Sequence, residues 1–462
     1  MSWIDERLPE ILWAILVIGN VDRSHALDYF RKIGEFVKRN PECCDITLSS
    51  IADYPTEKRD EFISIATTFS DDVNAALSAL TLFPTLPCFE AWRTSLENVK
   101  SNQKWNIIGK GVLRTLDHQS QEATDCRWVK VLCMLLAGKI KYHNDSQNFD
   151  YLFTGVIEFP NSGDMTIIRP FIRAAEMGLN MQKENNVHEW SKQFWEYCLT
   201  HTKCIPEGTT MDKVEKYKEA FKMEDKNSEA YMSQTIDVRN GIVEHLYNTR
   251  ITSGIDSRHE GVFGLVLYSV SLFIETIVLQ SSFSASGRLT LRALADIYIT
   301  LKYLQVKEVN NMHIWDTYRG YGSGQLKLAL LKLEESDTSI DCVTKKLLYE
   351  MANEDEILEF VPINLGQWDS TNLRDMSIEA GVKDVYDNYY TYTSGFVHGN
   401  WGSIRESVYQ KCLNPLHRLH RIPTPNLPIL SSVMSDALLI TNKILECLSA
   451  FYPGFNKQFL KI

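Results

Sequence analysis

The chain contains 462 residues, of which 44% are hydrophobic and 23% are charged, so it has enough apolar material for two or three packed domains. Its formal net charge of -11 lacks the overall basic excess that is typical of nucleic-acid-binding proteins, although local basic pockets stay open. The low numbers of Pro (14) and Gly (23) disfavour an all-β protein and predict long helices. We therefore expect an all-α protein.

The first half of the chain predicts a series of short helices separated by proline-containing loops. Phe30, Ile33 and Val37, for example, recur at the spacing of the buried face of an amphipathic helix. Similar segments follow, and no sequence repeat of fixed length is visible. The pattern is typical of stacked helix pairs, so we predict a helical solenoid-like domain over residues 1–205.

Residues 206–234 differ in composition, because Lys and Glu dominate and large aliphatic residues are scarce. Glu and Lys at helical spacing predict a solvent-exposed helix. We interpret this segment as a charged helical linker between two domains; an exposed helix inside one domain is the alternative. A second helical domain, with longer helices, is predicted over residues 235–462.

The segment from Gly261 to Gln280 is long enough to span a membrane and carries a single charge, at Glu275. Ser269 and Ser271 interrupt it and no clear basic flank follows, so we predict a buried core helix and no membrane association. The start of the chain lacks the basic region of a signal peptide, and ten Cys are scattered without regular spacing. Free thiols of this kind indicate a reducing compartment, so a cytoplasmic location is expected.

Two helices in the second half carry polar residues suited to chemistry. Arg288, Arg292 and Asp296 recur every four residues, so they share one face of a helix. An arginine fork binds phosphate in a bidentate manner; an ion-pair ladder is the structural alternative.

The second element is an aromatic stretch that ends in His398 and Gly399. Tyr390, Ser394 and His398 are four residues apart and share a face if the helix continues. The imidazole of His398 can act as an acid or a base near pH 7, and the Tyr390 hydroxyl is a binding group for an Arg. The alternative is an ordinary helix end with a Gly cap.

The two elements are expected to meet in the folded protein. Arg residues on successive turns of an otherwise apolar helix need acceptors, because an unpaired buried charge is very unfavourable. We therefore predict one partly buried pocket in the second domain, formed by five residues of the two elements: Arg288, Arg292, Asp296, Ser394 and His398.

A Gly-rich stretch, Gly320–Gly324, lies between Arg319 and Lys327. Backbone donors at a helix start can hold phosphate, assisted by Lys327. Arg319 is a further candidate binding residue. The spacing is not that of a P-loop, and a flexible loop leading into a helix at Gln325 is the alternative.

Cys198, His201 and Cys204 carry ligand-type side chains at three-residue spacing, with His188 as a conceivable fourth ligand. No second Cys pair accompanies them, so we predict no metal site and no cofactor. The basic run His417–Arg421 predicts a solvated loop.

Four features together resemble a group of bacterial all-helical proteins regarded as HEPN-like: the apolar helix, the Arg288–Asp296 helix, the stretch Trp315–Gly322 with Lys327, and the Tyr390–Gly399 ending. The resemblance covers roughly residues 235–451. It implies a helical bundle related to toxin and phage-defence ribonucleases, which cleave RNA without a metal ion. In this chain it implies His398 as the acid or base, and Arg292, helped by Arg288, as the group that stabilises the phosphorane.

HEPN ribonucleases usually carry an Arg and a His with four to six residues between them. His398 has no such Arg upstream, so its Arg would come from another helix. Arg239 and His245 do match the spacing, and Asn240 supplies the usual polar residue. They form an alternative catalytic pair.

Two functions of different classes follow. The first is an antiviral-defence or toxin-like effector that cleaves RNA. The second is a non-catalytic helical scaffold that binds a partner protein of the same system, with aromatic loops around Tyr318–Tyr321 and Trp401 as contact surfaces. A homodimer is compatible with both.

Overall fold

The computed structural model describes these parts of the chain: residues 2–97, 100–140, 148–181, 189–207, 211–335, 342–353, 368–369, 371–424 and 430–461. Within them nearly all of the regular secondary structure is helical, which confirms the all-α prediction. The chain forms two compact units. Unit 1 comprises Met1–Glu207 and Lys411–Ile422, and unit 2 comprises Gly208–Gln410 and Pro423–Ile462. The sequence predicted a domain end at residue 205 but not the return of Lys411–Ile422, hereafter the returning segment.

In its described residues unit 1 contains twelve α-helices. They are α1 (Leu8–Glu10), α2 (Leu12–Asn20), α3 (Arg23–Arg39), α4 (Leu48–Ala52), α5 (Thr56–Thr67), α6 (Asp71–Leu77), α7 (Phe89–Ser95), α8 (Ser101–Thr115), α9 (Gln121–Leu136), α10 (Asn148–Ile157), α11 (Met165–Met181) and α12 (Glu189–His201). Short π- or 3₁₀-helical turns cover Trp3–Arg7, Pro41–Cys43, Ser78–Leu82 and Pro415–His417.

Helix α2 lies in the core of unit 1, where it packs against α8 and α9. The apolar run of the sequence thus becomes a helix that is buried on all sides from Leu12 to Gly19. Trp13 contacts the rings of Tyr29, Phe30 and Phe62 at centroid distances of 5.9, 5.9 and 6.0 Å. Edge-to-face contacts of this kind add to the hydrophobic stabilisation of a core.

A buried carboxylate, Glu176 on α11, is surrounded by cations. It forms an ion pair with Arg7, and its carboxylate oxygens lie 3.6 Å from Arg127 Nε and 3.8 Å from Lys130 Nζ. The Arg127 guanidinium also lies 4.3 Å from the centre of the Trp3 ring. Burial lowers the pKa of Arg127 to about 10, although Glu176 acts in the opposite direction. This cluster joins the N-terminal turn to α9 and α11.

Helices α2 and α8 approach closely at two glycines. A Cβ atom on Gly19 would lie 2.4 Å from the Cα of Gly111, which no side chain tolerates without movement of the backbone. We expect Gly19→Ala to lower the free energy of unfolding of unit 1 by about 1–3 kcal/mol, because the helices must separate. Urea denaturation of the full chain measures this.

Gly109→Ala is the matched control, because a Cβ there meets no atom within 4 Å. Its higher helix propensity should leave stability unchanged or raise it by up to about 1 kcal/mol. Equal destabilisation by the two substitutions would contradict the close approach.

Unit 2 contains the remaining α-helices. They are α13 (Met211–Thr249), α14 (Ser257–Val278), α15 (Ala285–Lys307), α16 (Ile314–Glu335), α17 (Lys345–Ala352), α18 (Leu373–Glu379), α19 (Lys383–Val385), α20 (Thr391–Val397), α21 (Trp401–Val408) and α22 (Met434–Phe451). A 3₁₀ turn covers Ser281–Phe283 and a π-helical turn covers Tyr386–Tyr390. Strands β1 (Tyr409–Lys411) and β2 (Arg421–Pro423) pair at the two ends of the returning segment.

Helix α14 is the apolar segment of the sequence, and it packs against α13, α15, α16 and α22. It is the one helix among the described residues whose length and composition would allow a membrane span. One face, which includes Phe263 and Phe273, is buried in the core of unit 2. A Cβ on Gly261 would lie 2.9 Å from the Trp315 ring, so this glycine permits the contact with α16. This packing favours the predicted core helix.

Two local predictions are corrected by the structure. The expected boundary at residue 234 lies inside α13, one continuous helix from Met211 to Thr249. The stretch Gly320–Gly324 lies inside α16 instead of forming a loop before it. Its backbone N–H groups therefore belong to the helix, and the phosphate-binding helix start expected near Lys327 is not formed.

Candidate functional site

The predicted pocket in unit 2 centres on Arg292, which lies on α15. Its Nη1 donates a hydrogen bond to Asp296 Oδ2 at 2.9 Å, and its Nη2 donates to the Tyr390 hydroxyl at 2.9 Å. The guanidinium also lies 4.6 Å from the centre of the Tyr390 ring, in a cation–π arrangement. The side chain of Arg292 nevertheless remains 22% exposed. The structure thus brings Arg292, Asp296 and Tyr390 together and fixes the guanidinium of a partly exposed side chain.

Tyr390 is positioned by the π-helical turn Tyr386–Tyr390, which packs against α15. Within this turn the rings of Tyr386 and Tyr390 stack at a centroid distance of 4.9 Å. Such turns are rare and occur frequently at functional sites. The sequence shows the aromatic residues but contains no signal for the wider turn.

Arg288 lies one turn before Arg292 and is buried. Its guanidinium donates to three backbone carbonyls, those of Ser282 and Ser284 at 3.2 Å and that of Ser431 at 2.7 Å. It also lies 5.9 Å from the centre of the Phe396 ring. Arg288 therefore ties the 3₁₀ turn and the segment before α22 to α15, and its hydrogen bonds are structural.

Asp296 is half-buried, and burial raises its pKa to about 6, although Arg292 acts in the opposite direction. The folded protein thus keeps a proton that the unfolded chain releases near the ordinary value of 3.8. Because the folded state binds more protons between about pH 4 and 6, its free energy of unfolding should fall as the pH rises through that window. Asp296→Asn should remove this fall, and urea denaturation at a series of pH values measures it.

Asp316→Asn serves as the control for the titration, because Asp316 is exposed on α16. The free energy of unfolding of Asp316→Asn should still fall between about pH 4 and 6, as in the natural protein. An identical decline in Asp296→Asn would show that another group is responsible.

His398 follows the last residue of α20 and is exposed. Gly399 adopts the left-handed conformation with φ of 61°, and the N–H of Asn400 donates to the Gly395 carbonyl at 2.9 Å. The helix thus ends with a Gly cap, as one of the two interpretations expected. Among the described residues the imidazole makes no hydrogen bond or ring contact, so it is free to act on a ligand.

The distance between His398 and the Tyr390 that holds Arg292 follows from the geometry of the helix. The eight residues from Tyr390 to His398 correspond to about 12 Å along a helix. Half-buried Ser394 lies between them on α20, which packs against α15. Arg292 is held at the Tyr390 end and His398 stands at the other end, so an extended ligand along α20 would meet both.

The side chains of the alternative catalytic pair, Arg239 and His245, point to different sides of α13. Arg239 is exposed on α13, whereas half-buried His245 has its Nε2 2.9 Å from the Tyr452 carbonyl oxygen and packs against the rings of Phe263 and Phe455. Six residues apart on a helix, the two side chains point in directions about 120° apart. The contacts of His245 are therefore structural.

The other binding residues of the sequence analysis lie on α16. Arg319 forms an ion pair with Glu260 of α14, which joins the two helices, and Lys327 is half-buried. Tyr318, expected on a contact surface, instead packs against the rings of Trp315 and Trp368, at 6.3 and 5.3 Å.

The residues of the Cys198–Cys204 pattern do not come together around one point in unit 1. Cys198 is buried in the core, and His201 stacks on Tyr197 at a centroid distance of 3.7 Å. His188 lies outside the described residues. Cys204, however, lies beside Cys412, His417 and His420 of the returning segment. Sequence reasoning missed this group because its members are far apart in the chain.

A family model described as a family of unknown function, DUF5677, matches residues 259–412. This third of the chain contains Arg288, Arg292, Asp296 and His398, together with the π-helical turn. No curated protein and no solved structure matches the chain.

Proposed function

We propose that unit 2 binds a phosphodiester and cleaves RNA without a metal ion, as an effector of a bacterial antiviral-defence or toxin-like system. The observation that carries this proposal is the guanidinium of Arg292, which Asp296 and Tyr390 hold in place on a side chain that is 22% exposed. A fixed guanidinium binds phosphate in a bidentate manner. The resemblance to HEPN-like proteins supports the defence context.

In the proposed reaction an RNA strand lies along α20. Arg292 binds a phosphate of the strand at the Tyr390 end of the helix and so positions the strand for reaction near His398. The exposed imidazole of His398 takes the proton of a ribose 2′-hydroxyl or protonates the leaving oxygen. The 2′-oxygen forms a bond to phosphorus while the bond to the 5′-oxygen breaks, which gives a 2′,3′-cyclic phosphate and a 5′-hydroxyl.

The test is incubation of the full chain with labelled single-stranded RNA in EDTA, with circular dichroism to verify that the protein stays folded. We expect cleavage to persist and to yield cyclic phosphate ends. RNA with 2′-deoxyribose at every position is the control, since it lacks the nucleophile and should stay intact. RNA that is bound but not cut, or cleavage lost in EDTA by a folded protein, would overturn the proposed mechanism.

A specific observation supports the scaffold as a second candidate function. Helices α20 and α21 expose an apolar patch in which Trp401 is 61% exposed, with Tyr392, Val397 and Val408 also exposed. Large exposed aromatic residues are typical centres of protein interfaces. This function predicts a stoichiometric partner protein that Trp401→Glu releases, together with absence of RNA cleavage by the natural chain.

A further inference from the structure

Four potential metal ligands come together in unit 1, although the sequence separates them. Cys204 follows α12, whereas Cys412, His417 and His420 belong to the returning segment. One ligand atom of each residue lies within 4.8 Å of the ligand atoms of the other three. Two thiols and two imidazoles are the ligand set of many structural zinc sites.

The distances between the ligand atoms fit tetrahedral coordination. Cys204 Sγ lies 3.5 Å from His417 Nδ1 and 3.4 Å from His420 Nε2, and Cys412 Sγ lies 3.5 Å from His417 Nδ1. With Zn–S bonds of about 2.3 Å and Zn–N bonds of about 2.0–2.1 Å, sulfur and nitrogen ligands at the tetrahedral angle are about 3.6 Å apart. The observed spacing is therefore that of a site able to hold an ion.

Neighbouring groups orient the ligands. The hydroxyl of Thr202 lies 2.9 Å from His417 Nε2, which leaves Nδ1 directed at the thiols. Asn414 Nδ2 holds that hydroxyl through a 3.1 Å hydrogen bond, and the N–H of Ile205 donates to Cys412 Sγ at 3.4 Å. Metal sites in proteins depend on outer contacts of this kind to fix the rings and thiolates.

The backbone of the returning segment is also shaped for the group. Arg418 and Leu419 are both left-handed, with φ of 52° and 56°. This conformation is unfavourable for residues other than glycine, and two in succession persist only where the surrounding structure holds them. The turn brings the rings of His417 and His420 to a centroid distance of 5.0 Å, on the side of the thiols.

The segment and the end of α12 are paired through their backbones. The N–H of Leu413 donates to the Ile205 carbonyl at 2.7 Å, and the N–H of Glu207 donates to the Lys411 carbonyl at 3.0 Å. This pairing sets Cys412 beside the chain that carries Cys204, so the two thiols meet through the fold.

We propose that these two Cys and two His residues bind one Zn²⁺ ion in a closed tetrahedral site that fastens the returning segment to the end of α12. Four protein ligands leave no open position, so the role of the ion is structural. Thiolate and imidazole ligands select zinc over Mg²⁺ and Ca²⁺, which prefer oxygen. The ion displaces the protons of both thiols, so the occupied site carries no net charge. Closure of a loop of about 200 residues stabilises the folded unit.

The experiment uses the full chain purified under reducing conditions. We expect one zinc per chain by elemental analysis, and Co²⁺ added to the metal-free protein should give the absorption of tetrahedral cobalt with a thiolate charge-transfer band. Cys204→Ser should weaken zinc binding by more than about 100-fold, because a lost ligand exceeds the effect of an outer contact. Cys204 is exposed, so this isosteric change leaves the core intact.

Cys342→Ser and His313→Ala, both at exposed positions of unit 2, are matched controls that should bind zinc like the natural chain. Limited proteolysis gives an independent readout, since zinc removal should speed cleavage within the returning segment. Three results would overturn the site: no tetrahedral cobalt spectrum after Co²⁺ is added to the metal-free protein, unchanged zinc affinity in Cys204→Ser, or a Cys204–Cys412 disulfide that persists in the protein purified under reducing conditions.

Discussion

Replacement of Glu176 by Gln is expected to lower the free energy of unfolding of unit 1 by about 3–5 kcal/mol. The carboxylate is 2% exposed and faces Arg7, Arg127 and Lys130, and the side chains of Arg127 and Lys130 are themselves buried. Glutamine keeps the shape but not the charge, so the cations lose their common counter-ion inside the protein. A loss of this size is a large fraction of the total stability of a typical domain.

Urea denaturation followed by tryptophan fluorescence measures the effect. Glu35→Gln is the control, because Glu35 pairs with Lys32 at 3.0 Å on the exposed face of α3 and such pairs contribute about 1 kcal/mol or less. If Glu176→Gln proved as mild as Glu35→Gln, the buried cations would have to be stabilised by other groups.

Replacement of His398 by Ala is expected to lower the rate of RNA cleavage by about 10²–10⁴-fold, the usual contribution of a general acid or base. Because the imidazole is exposed and makes no hydrogen bond or ring contact among the described residues, the substitution should leave the stability of unit 2 unchanged. Cleavage rates at saturating RNA and thermal denaturation of the same samples separate the two effects. Free imidazole added to the variant should restore part of the rate.

His313→Ala is the matched control, since His313 is an exposed histidine at the start of α16 and its substitution should change neither rate nor stability. Full activity in His398→Ala would remove His398 from the site. Lost activity without rescue, together with lost stability, would instead assign His398 a structural role.

Several elements could be predicted because their signal is local. The apolar helix α14 and the Arg-bearing helix α15 have strong helical periodicity. The four-residue spacing of Arg292 and Asp296 places both on one face of α15, where Arg292 donates a hydrogen bond to Asp296. Helix α8 is absent from the sequence prediction although Ile108 and Val112 keep helical spacing, because Gly109 and Gly111 lower its helix propensity. Glycine is required at position 111 because the backbone there lies against α2, and the sequence alone does not show this tertiary contact.

The loop predicted at Gly320–Gly324 is wrong for the same reason, because tertiary packing outweighs the local sequence signal. Each glycine weakens a helix by only about 1 kcal/mol, and burial of Trp315 and Leu330 on either side of the stretch outweighs that loss. The proximity of Cys204 and Cys412 could not be predicted either. It depends on the return of the chain to unit 1 after helices α13 to α21.

The return of Lys411–Ile422 has a consequence for biosynthesis. Unit 2 is in effect inserted into unit 1, so the ribosome releases the first 207 residues long before the segment that completes their fold. Until Leu416 emerges, its position in the core of unit 1 stays vacant and apolar surface stays open to water. Such nascent intermediates are aggregation-prone. We therefore expect the nascent chain to need chaperone protection between the synthesis of α12 and that of the returning segment, and a chain truncated before Lys411 to be poorly soluble.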